Sequence, residues 1–253
     1  MALVTAFVAI APFGCGITAD YSGLQGGTRD AAVDAATEAS AHPSFCASLT
    51  KPVKLCSDFD EGAPLDTGWG ATDGYGGQVV RVDTTAFSPP GSFFAAINPS
   101  GAPSSARLLQ TVPTSSTHVR IELEMLAAPG DGTIELAVIH EVVSDGTTYG
   151  LFYQSVNHVL QVRLKTLKSD NTVFDKTWPI GAPPAGWTRV AIDMDVGAAG
   201  SFVVQHGGAI VASDTNLPTS TPSRTAMFVE VGVYSFAPTT AEARFDDVIV
   251  DWP

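Results

Sequence analysis

Residues 187–211 read WTRVAIDMDVGAAGSFVVQHGGAIV. From Trp187 to Val196 the side chains alternate, with Val190, Ile192 and Met194 on one parity and Arg189, Asp193 and Asp195 on the other. This is the period of a strand with one buried face. Ser201–His206 and Ala209–Ala212 repeat the pattern, and Gly207-Gly208 between them suits a two-residue hairpin turn. Working outward, the same reading predicts strands over Leu55–Asp60, Gln78–Asp83, Ser92–Asn98, Ser105–Val112, Thr117–Leu126, Thr133–Val142, Thr148–Val156, His158–Leu167, Thr225–Phe236 and Glu242–Asp251. Turn signals separate them: Pro89-Pro90-Gly91, Pro129-Gly130-Asp131-Gly132, Asp145-Gly146 and Ser169-Asp170-Asn171. No long segment carries a 3.6-residue apolar period. So many half-apolar strands hide one face each as two packed antiparallel sheets.

The order of these signals resembles a known family. The Trp187 strand, the turn at Gly200, the Val203 strand and the Gly207-Gly208 hairpin are similar to the signature of concanavalin A-like lectin/glucanase and laminin G-like jelly rolls. Gly207-Gly208 stands where that family has Asp-Gly. Phe245-Asp246-Asp247-Val248-Ile249-Val250-Asp251 resembles the family's closing strand, and Cys56-Ser57-Asp58-Phe59-Asp60 the opening strand that pairs with it. The resemblance implies an all-β, two-sheet jelly-roll sandwich over residues 46–253. It leaves function open, because the superfamily holds lectins, hydrolases, lyases and adhesion modules.

Composition narrows the classes. The chain has 253 residues, 26 acidic against 13 Lys and Arg, for a formal net charge of -13. With no basic stripe, nucleic acid and anionic membrane surfaces are excluded as partners. At 45% hydrophobic residues the chain is not a disordered polymer, and 24 Gly with 17 Pro suit a turn-rich fold.

Residues 1–15, MALVTAFVAIAPFGC, are an uncharged apolar run shorter than the ~20 residues of a membrane-spanning helix. Gly14-Cys15 resembles the lipobox of bacterial lipoproteins, although Pro12 stands where Leu is usual and no basic residue precedes the run. The resemblance implies lipidation at Cys15 and an exported protein tethered to the cell envelope; an ordinary export signal, giving a periplasmic or secreted protein, is the alternative. Residues 16–45 are an acidic Ala/Gly/Ser-rich linker. With Cys15 lipidated, Cys46 and Cys56 remain as a disulfide pair in an oxidising compartment. Zinc and nucleophilic readings fail for want of ligands, since His42 is the one histidine nearby.

Strand parity also selects site candidates. In Thr117–Leu126 it sends Val119, Ile121, Leu123 and Met125 inward and His118, Arg120, Glu122 and Glu124 outward. Gln161, Arg163 and Lys165 face outward on one later strand, and Glu230 and Tyr234 on another. In the resembled superfamily the concave sheet carrying such residues forms the glycan groove. Glu122 and Glu124, ~6.5–7 Å apart along one strand face, have the form of a glycosidase carboxylate pair. The glucanase motif has a third carboxylate, missing here, and a solvated charged face balanced by Arg120, Arg163 and Lys165 is the simpler reading. Separately, Arg120-Ile121-Glu122-Leu123, Val138-Ile139-His140 and Gly232-Val233-Tyr234 resemble the three motifs of jelly-roll alginate lyases. That resemblance implies Tyr234 as base and acid, with His140 and Arg120 at the uronate carboxylate. Val138 and Glu230 replace the family's Gln and Lys, which weakens neutralisation of that carboxylate.

For stacking on sugars the exposed-aromatic candidates are Trp69, Tyr75, Tyr153, Trp178 and Tyr234, with Trp187 and Trp252 read as packing residues and His158 and His206 as solvated. Asp58, Asp60, Asp246 and Asp247 are calcium candidates, against a simpler role as edge-strand charges. No other cofactor is implied. The sequence reading is a non-catalytic carbohydrate-binding module contacting ligand through Arg120, Glu122, Glu124, Tyr153, Gln161, Arg163, Glu230 and Tyr234. A polysaccharide-degrading enzyme, hydrolase or lyase, and an adhesion module are the alternatives.

Overall fold

The computed structural model describes residues 44–253 apart from 61–63, 83–84, 99–102, 169–172 and 222. The expected export signal with Cys15, His42, and all but the last two residues of the expected linker lie outside the described residues. A helical turn, Phe45–Ser48, opens the described chain, and Ser44 caps it by accepting from the Ala47 N–H at 3.3 Å. Cys46 and Cys56 are disulfide-bonded with Cα atoms 5.7 Å apart.

Fifteen strands follow among the described residues: β1 (Leu55–Ser57), β2 (Ala71–Asp73), β3 (Gly77–Val82), β4 (Ser92–Ile97), β5 (Ser104–Val112), β6 (His118–Ala128), β7 (Thr133–Val143), β8 (Thr148–Val156), β9 (Val159–Leu167), β10 (Val173–Gly181), β11 (Thr188–Asp195), β12 (Gly200–His206), β13 (Ala209–Leu217), β14 (Arg224–Ser235) and β15 (Ala241–Asp251). They build two antiparallel sheets. The first runs β13-β12-β11-β6-β15-β4-β3, with β1 also paired to β15; the second runs β10-β9-β8-β7-β14-β5-β2. The expected jelly-roll sandwich is therefore the architecture, and the opening and closing strands pair as the sequence implied, Cys56 opposite Ile249.

Parity explains the layers. Val119, Ile121, Leu123 and Met125 of β6 meet Met227, Val229, Val231 and Val233 of β14 and Leu160, Val162 and Leu164 of β9 in one buried core. Phe93 stacks on Phe245 at 5.5 Å and tilts against Phe59 at 5.9 Å, so large rings fill the end beneath β1. Gly207 and Gly208 take positive φ of 58° and 79°, as the β12–β13 hairpin requires.

Two strands escaped the sequence reading. β10 is an edge strand whose VFDKTWPIG sequence carries charges and Pro179, and β2 is three residues long. Opening strand β1 also ends at Ser57 rather than Asp60. Three aromatic assignments are corrected. Tyr153 is 1% exposed in the core, Trp69 is buried, and Trp178 packs edge-on against Phe202 at 4.9 Å. Tyr153 follows the inward parity of β8, Trp69 is buried from the turn before β2, and Trp178 is half-buried against the core. His206 is not simply solvated: its Nδ1 lies 2.8 Å from the buried Tyr153 hydroxyl. His158 is exposed beside Asp131, and Trp187 and Trp252 pack as expected.

The aspartates near the paired chain ends are not edge-strand charges, because Asp58, Asp246 and Asp247 are buried. Asp58 accepts from the Cys46 N–H, Asp60 from the Gly91 N–H, and Asp246 from the N–H groups of Phe87 and Ser88; Asp247 accepts from the Ser88 hydroxyl. They stitch loops onto β1 and β15. Among the described residues no group of three or more His, Cys, Asp or Glu is placed to hold a metal ion.

Replacing Cys46 and Cys56 together with Ser frees the segment that β1 anchors. Urea denaturation is expected to show a loss of about 2–3 kcal/mol, the loop-closure value for so short a ring. No change in the midpoint would remove the disulfide from the list of fold-stabilising contacts.

Candidate functional site

The outer face of the second sheet carries a cleft of about 650 Å³ lined from β5, β7, β8, β9 and β14. Cross-strand register arranges its floor in rows. In one row His140 lies beside Gly150 and then Lys165, and in the next Glu230, Val138, Phe152 and Arg163 follow one another. A third row runs Ser105, Tyr234, Glu135, Gln154 and Gln161. Gly150, between His140 and Lys165, makes room for the Phe152 ring, which a Cβ there would meet at 2.4 Å.

The third row exists because of a bulge. Ala137 pairs with Tyr153 but Glu135 pairs with Gln154, so β7 carries one extra residue at Leu136. Leu136 and Ala137 both join the core, while Glu135 emerges in the cleft with Val138 and His140. The β7–β14 register shifts at the same level, between Val231 and Tyr234. Gly232 fills that break at φ 148°, where a Cβ would lie 2.2 Å from the Ala106 carbonyl oxygen.

Arg107 is clamped in the middle. It is ion-paired to Glu230 and, at 2.8 Å, to Asp73, donates through Nε to Ser105 Oγ at 2.9 Å, and lies over the Tyr234 ring at 4.4 Å. Three of its donors are therefore engaged within the protein, and its cation faces an aromatic ring. Phe236, 68% exposed, meets Tyr234 edge-on at 4.7 Å and closes that end of the cleft. At the far side Arg163 is ion-paired to Asp175.

Burial shapes the ionisation of this group. It pushes Glu135 up to about 7, helped by the neighbouring Glu230 charge. Burial also raises Glu230, against the pull of Arg107. Tyr234 is raised by burial and then by Glu135, and His140 is lowered by burial and then by the Arg107 charge. At neutral pH the imidazole is uncharged and the phenol keeps its proton.

Sequence-predicted His140, Tyr234, Glu230 and Arg163 line this cleft, and Gln161 shares its face. Arg120, Glu122 and Glu124 do not. They project from β6 on the first sheet, across the sandwich, where Arg189 pairs with both glutamates and Arg120 pairs with Glu122. Parity was read correctly there, but parity does not say which sheet a strand joins. The arginine beside Tyr234 is Arg107, not the Arg120 of the motif reading. Glu135, Gln154, Asp73 and Phe236 were also missed; the Ser105, Arg107, Leu109 alternation was the signal available for Arg107.

No protein-family model and no curated protein matches the chain. Solved structures do match. The endo-β-1,4-glucuronan lyase of the fungus Trichoderma reesei has 13% identity and a TM-score of 0.64, covering 79% of this chain and 95% of its own. The cellulose-induced protein Cip1 has 14% identity and a TM-score of 0.57, covering 78% and 96%. Alginate lyase A1-II', a member of polysaccharide lyase family 7, has 15% identity and a TM-score of 0.50, covering 66% and 82%. At this identity the likeness shows the fold alone, a two-sheet jelly roll.

Glu135 makes stability depend on pH. The folded state holds its proton up to about 7, whereas the unfolded chain releases it near the ordinary 4.5. Its contribution is fully present below 4.5 and is lost as pH rises through 7. Glu135→Gln is therefore expected to gain stability on the parent between pH 5 and pH 8, at ~1.4 kcal/mol for each pH unit between 5 and the folded pKa of about 7. Urea denaturation of both proteins at the two pH values measures this; a constant difference would contradict it.

Proposed function

We propose that the domain binds an acidic polysaccharide in the cleft and cleaves it by β-elimination at a uronate. One observation carries this reading: His140, Arg107 and Tyr234 share one cleft, with the imidazole lowered and the phenol raised in pKa. Elimination needs a base for the C5 proton and an acid for the leaving O4. Neutral His140 takes the proton from C5 as the C4–C5 double bond forms and the C4–O4 bond breaks. The Tyr234 phenol gives its proton to O4, and solvent restores both groups. Arg107 acts as a positioning residue, holding the Tyr234 ring through its face and its own fork through Glu230 and Asp73. The lyases among the structural neighbours support the class of chemistry, and the carbohydrate-binding expectation is contained within it.

A second reading, binding without turnover, draws on the same clamp. With Arg107 tied to Glu230 and Asp73, less positive charge is left to stabilise the carbanion at the uronate. We also propose export and lipid anchoring at Cys15, supported by the disulfide, which belongs to an oxidising compartment. Fatty-acid labelling of the full chain in a bacterial host, lost on Cys15→Ser, tests the anchor; label retained by that variant would refute it.

The full chain incubated with β-1,4-linked polyglucuronate should release unsaturated uronate ends, seen by their ultraviolet absorbance. Tyr234→Phe should cut the rate by about 10²–10⁴-fold, the usual worth of a positioned acid or base. The rate should fall on the acid side as His140 takes up a proton below its ordinary 6.5. Retention of polymer with no product in either protein would select the binding module instead.

A further inference from the structure

We propose that Glu135 and Gln154 together form a carboxylate-recognition pocket in the cleft floor, in which both side chains donate hydrogen bonds to the two oxygens of one uronate carboxylate. The inference rests on the acidic-polysaccharide reading above and adds the residues that would read the acid.

The two side chains sit opposite each other on β7 and β8, on the cleft face, next to Tyr234. Both are buried, Glu135 at 8% and Gln154 at 1% exposure. Neither is fully satisfied. The Gln154 Nε2 amide has no hydrogen-bond partner, and among the described residues no hydrogen bond or ion pair reaches the Glu135 carboxyl. An unmet buried polar group costs ~1–3 kcal/mol, and here the Gln154 amide lies beside a Glu135 carboxyl that no described residue pairs. Groups left unpaired in this way are satisfied by what enters the cleft.

Donor chemistry selects the ligand. An amide N–H and a carboxylic acid O–H, adjacent and both lacking acceptors, match a group with two acceptor oxygens. A sugar hydroxyl would fit an ionised Glu135, which accepts; a uronate carboxylate fits the protonated acid, which donates. The charged and titratable neighbours settle which form is present. Glu230 and Tyr234 face Glu135 from β14, Arg107 from β5, Arg163 and Lys165 from β9, and His140 shares its strand. The Glu230 charge and burial favour the protonated acid; the three cations oppose them and lose. The same cations offset the charge of an incoming carboxylate, Arg107 least of all because it is already paired.

Calorimetric titration of the full chain with a β-1,4-linked glucuronate tetrasaccharide and with cellotetraose, from pH 6 to pH 8, tests the proposal. Glucuronate affinity should fall about tenfold over that range as Glu135 loses its proton, a limit set by one titrating group near 7. In Glu135→Gln, whose amide donates at every pH, the profile should flatten. Gln154→Ala should weaken glucuronate binding at least several-fold without moving the pH midpoint, and cellotetraose should bind weakly with no such pH dependence. Glucuronate binding whose profile is unchanged in Glu135→Gln would overturn the pocket while leaving the acidic-polysaccharide reading intact. Tighter binding of cellotetraose, or no glucuronate binding at pH 6, would overturn that reading and the pocket with it.

Discussion

The extra residue at Leu136 in β7, matched by the Gly232 break in β14, is the constraint on which the cleft depends. Without it Glu135 and His140, five residues apart, would point to opposite faces of the sheet. With it, two successive residues turn inward, and a carboxyl that alternation would bury in the core comes up opposite Tyr234. Gly232 makes the slip affordable, since any side chain at φ 148° would strike the Ala106 carbonyl. One local irregularity thus sets the identity of a whole row of the floor.

Around that row the electrostatics are local rather than global. A chain of formal charge -13 repels polyanions at long range, yet charges beyond the Debye length of ~8 Å at physiological salt are largely screened. Inside the cleft the balance is set by Arg107, Arg163 and Lys165 against Glu230, Asp73, Asp175 and a Glu135 that is only partly ionised at neutral pH. The Arg107 clamp exchanges free positive charge for rigidity. It holds Tyr234 and fixes Glu230 beside Glu135, while its own charge opposes the protonation of Glu135 that burial and Glu230 favour. Loosening Arg107 would change the acid, the phenol and the imidazole together, because its charge reaches all three.

The fold was legible because its signals are local. Alternation along Trp187–Val196 and Gly-Gly at the β12–β13 hairpin are fixed by neighbouring residues, and the closing strand was recognisable from Phe245 to Asp251. The site was legible in part. Tyr234, Glu230 and Arg163 follow from parity on strands that happen to lie in the second sheet, and His140 from the motif resemblance. Arg120, Glu122 and Glu124 obey the same parity on β6, which joins the first sheet between β11 and β15, and sheet membership is a long-range property that no window of sequence carries. Glu135 was hidden for a different reason: a β-bulge reverses the parity of everything beyond it, and IELAVIH reads equally well without one; Gln154, on regular β8, was hidden by the outward reading of its neighbour Tyr153. Tyr153 was misread because an amphipathic ring suits both core and groove, and its hydroxyl found a partner in His206 between the sheets.

A crystal structure of the protein with a β-1,4-linked glucuronate tetrasaccharide at mildly acidic pH tests most directly whether the second sheet carries the functional site. The sugar should lie along the rows of the cleft, one carboxylate within hydrogen-bonding distance of both Glu135 and Gln154, between Tyr234 and His140. A tetrasaccharide bound over Arg120, Glu122 and Glu124 on the first sheet, or away from the cleft altogether, would contradict it.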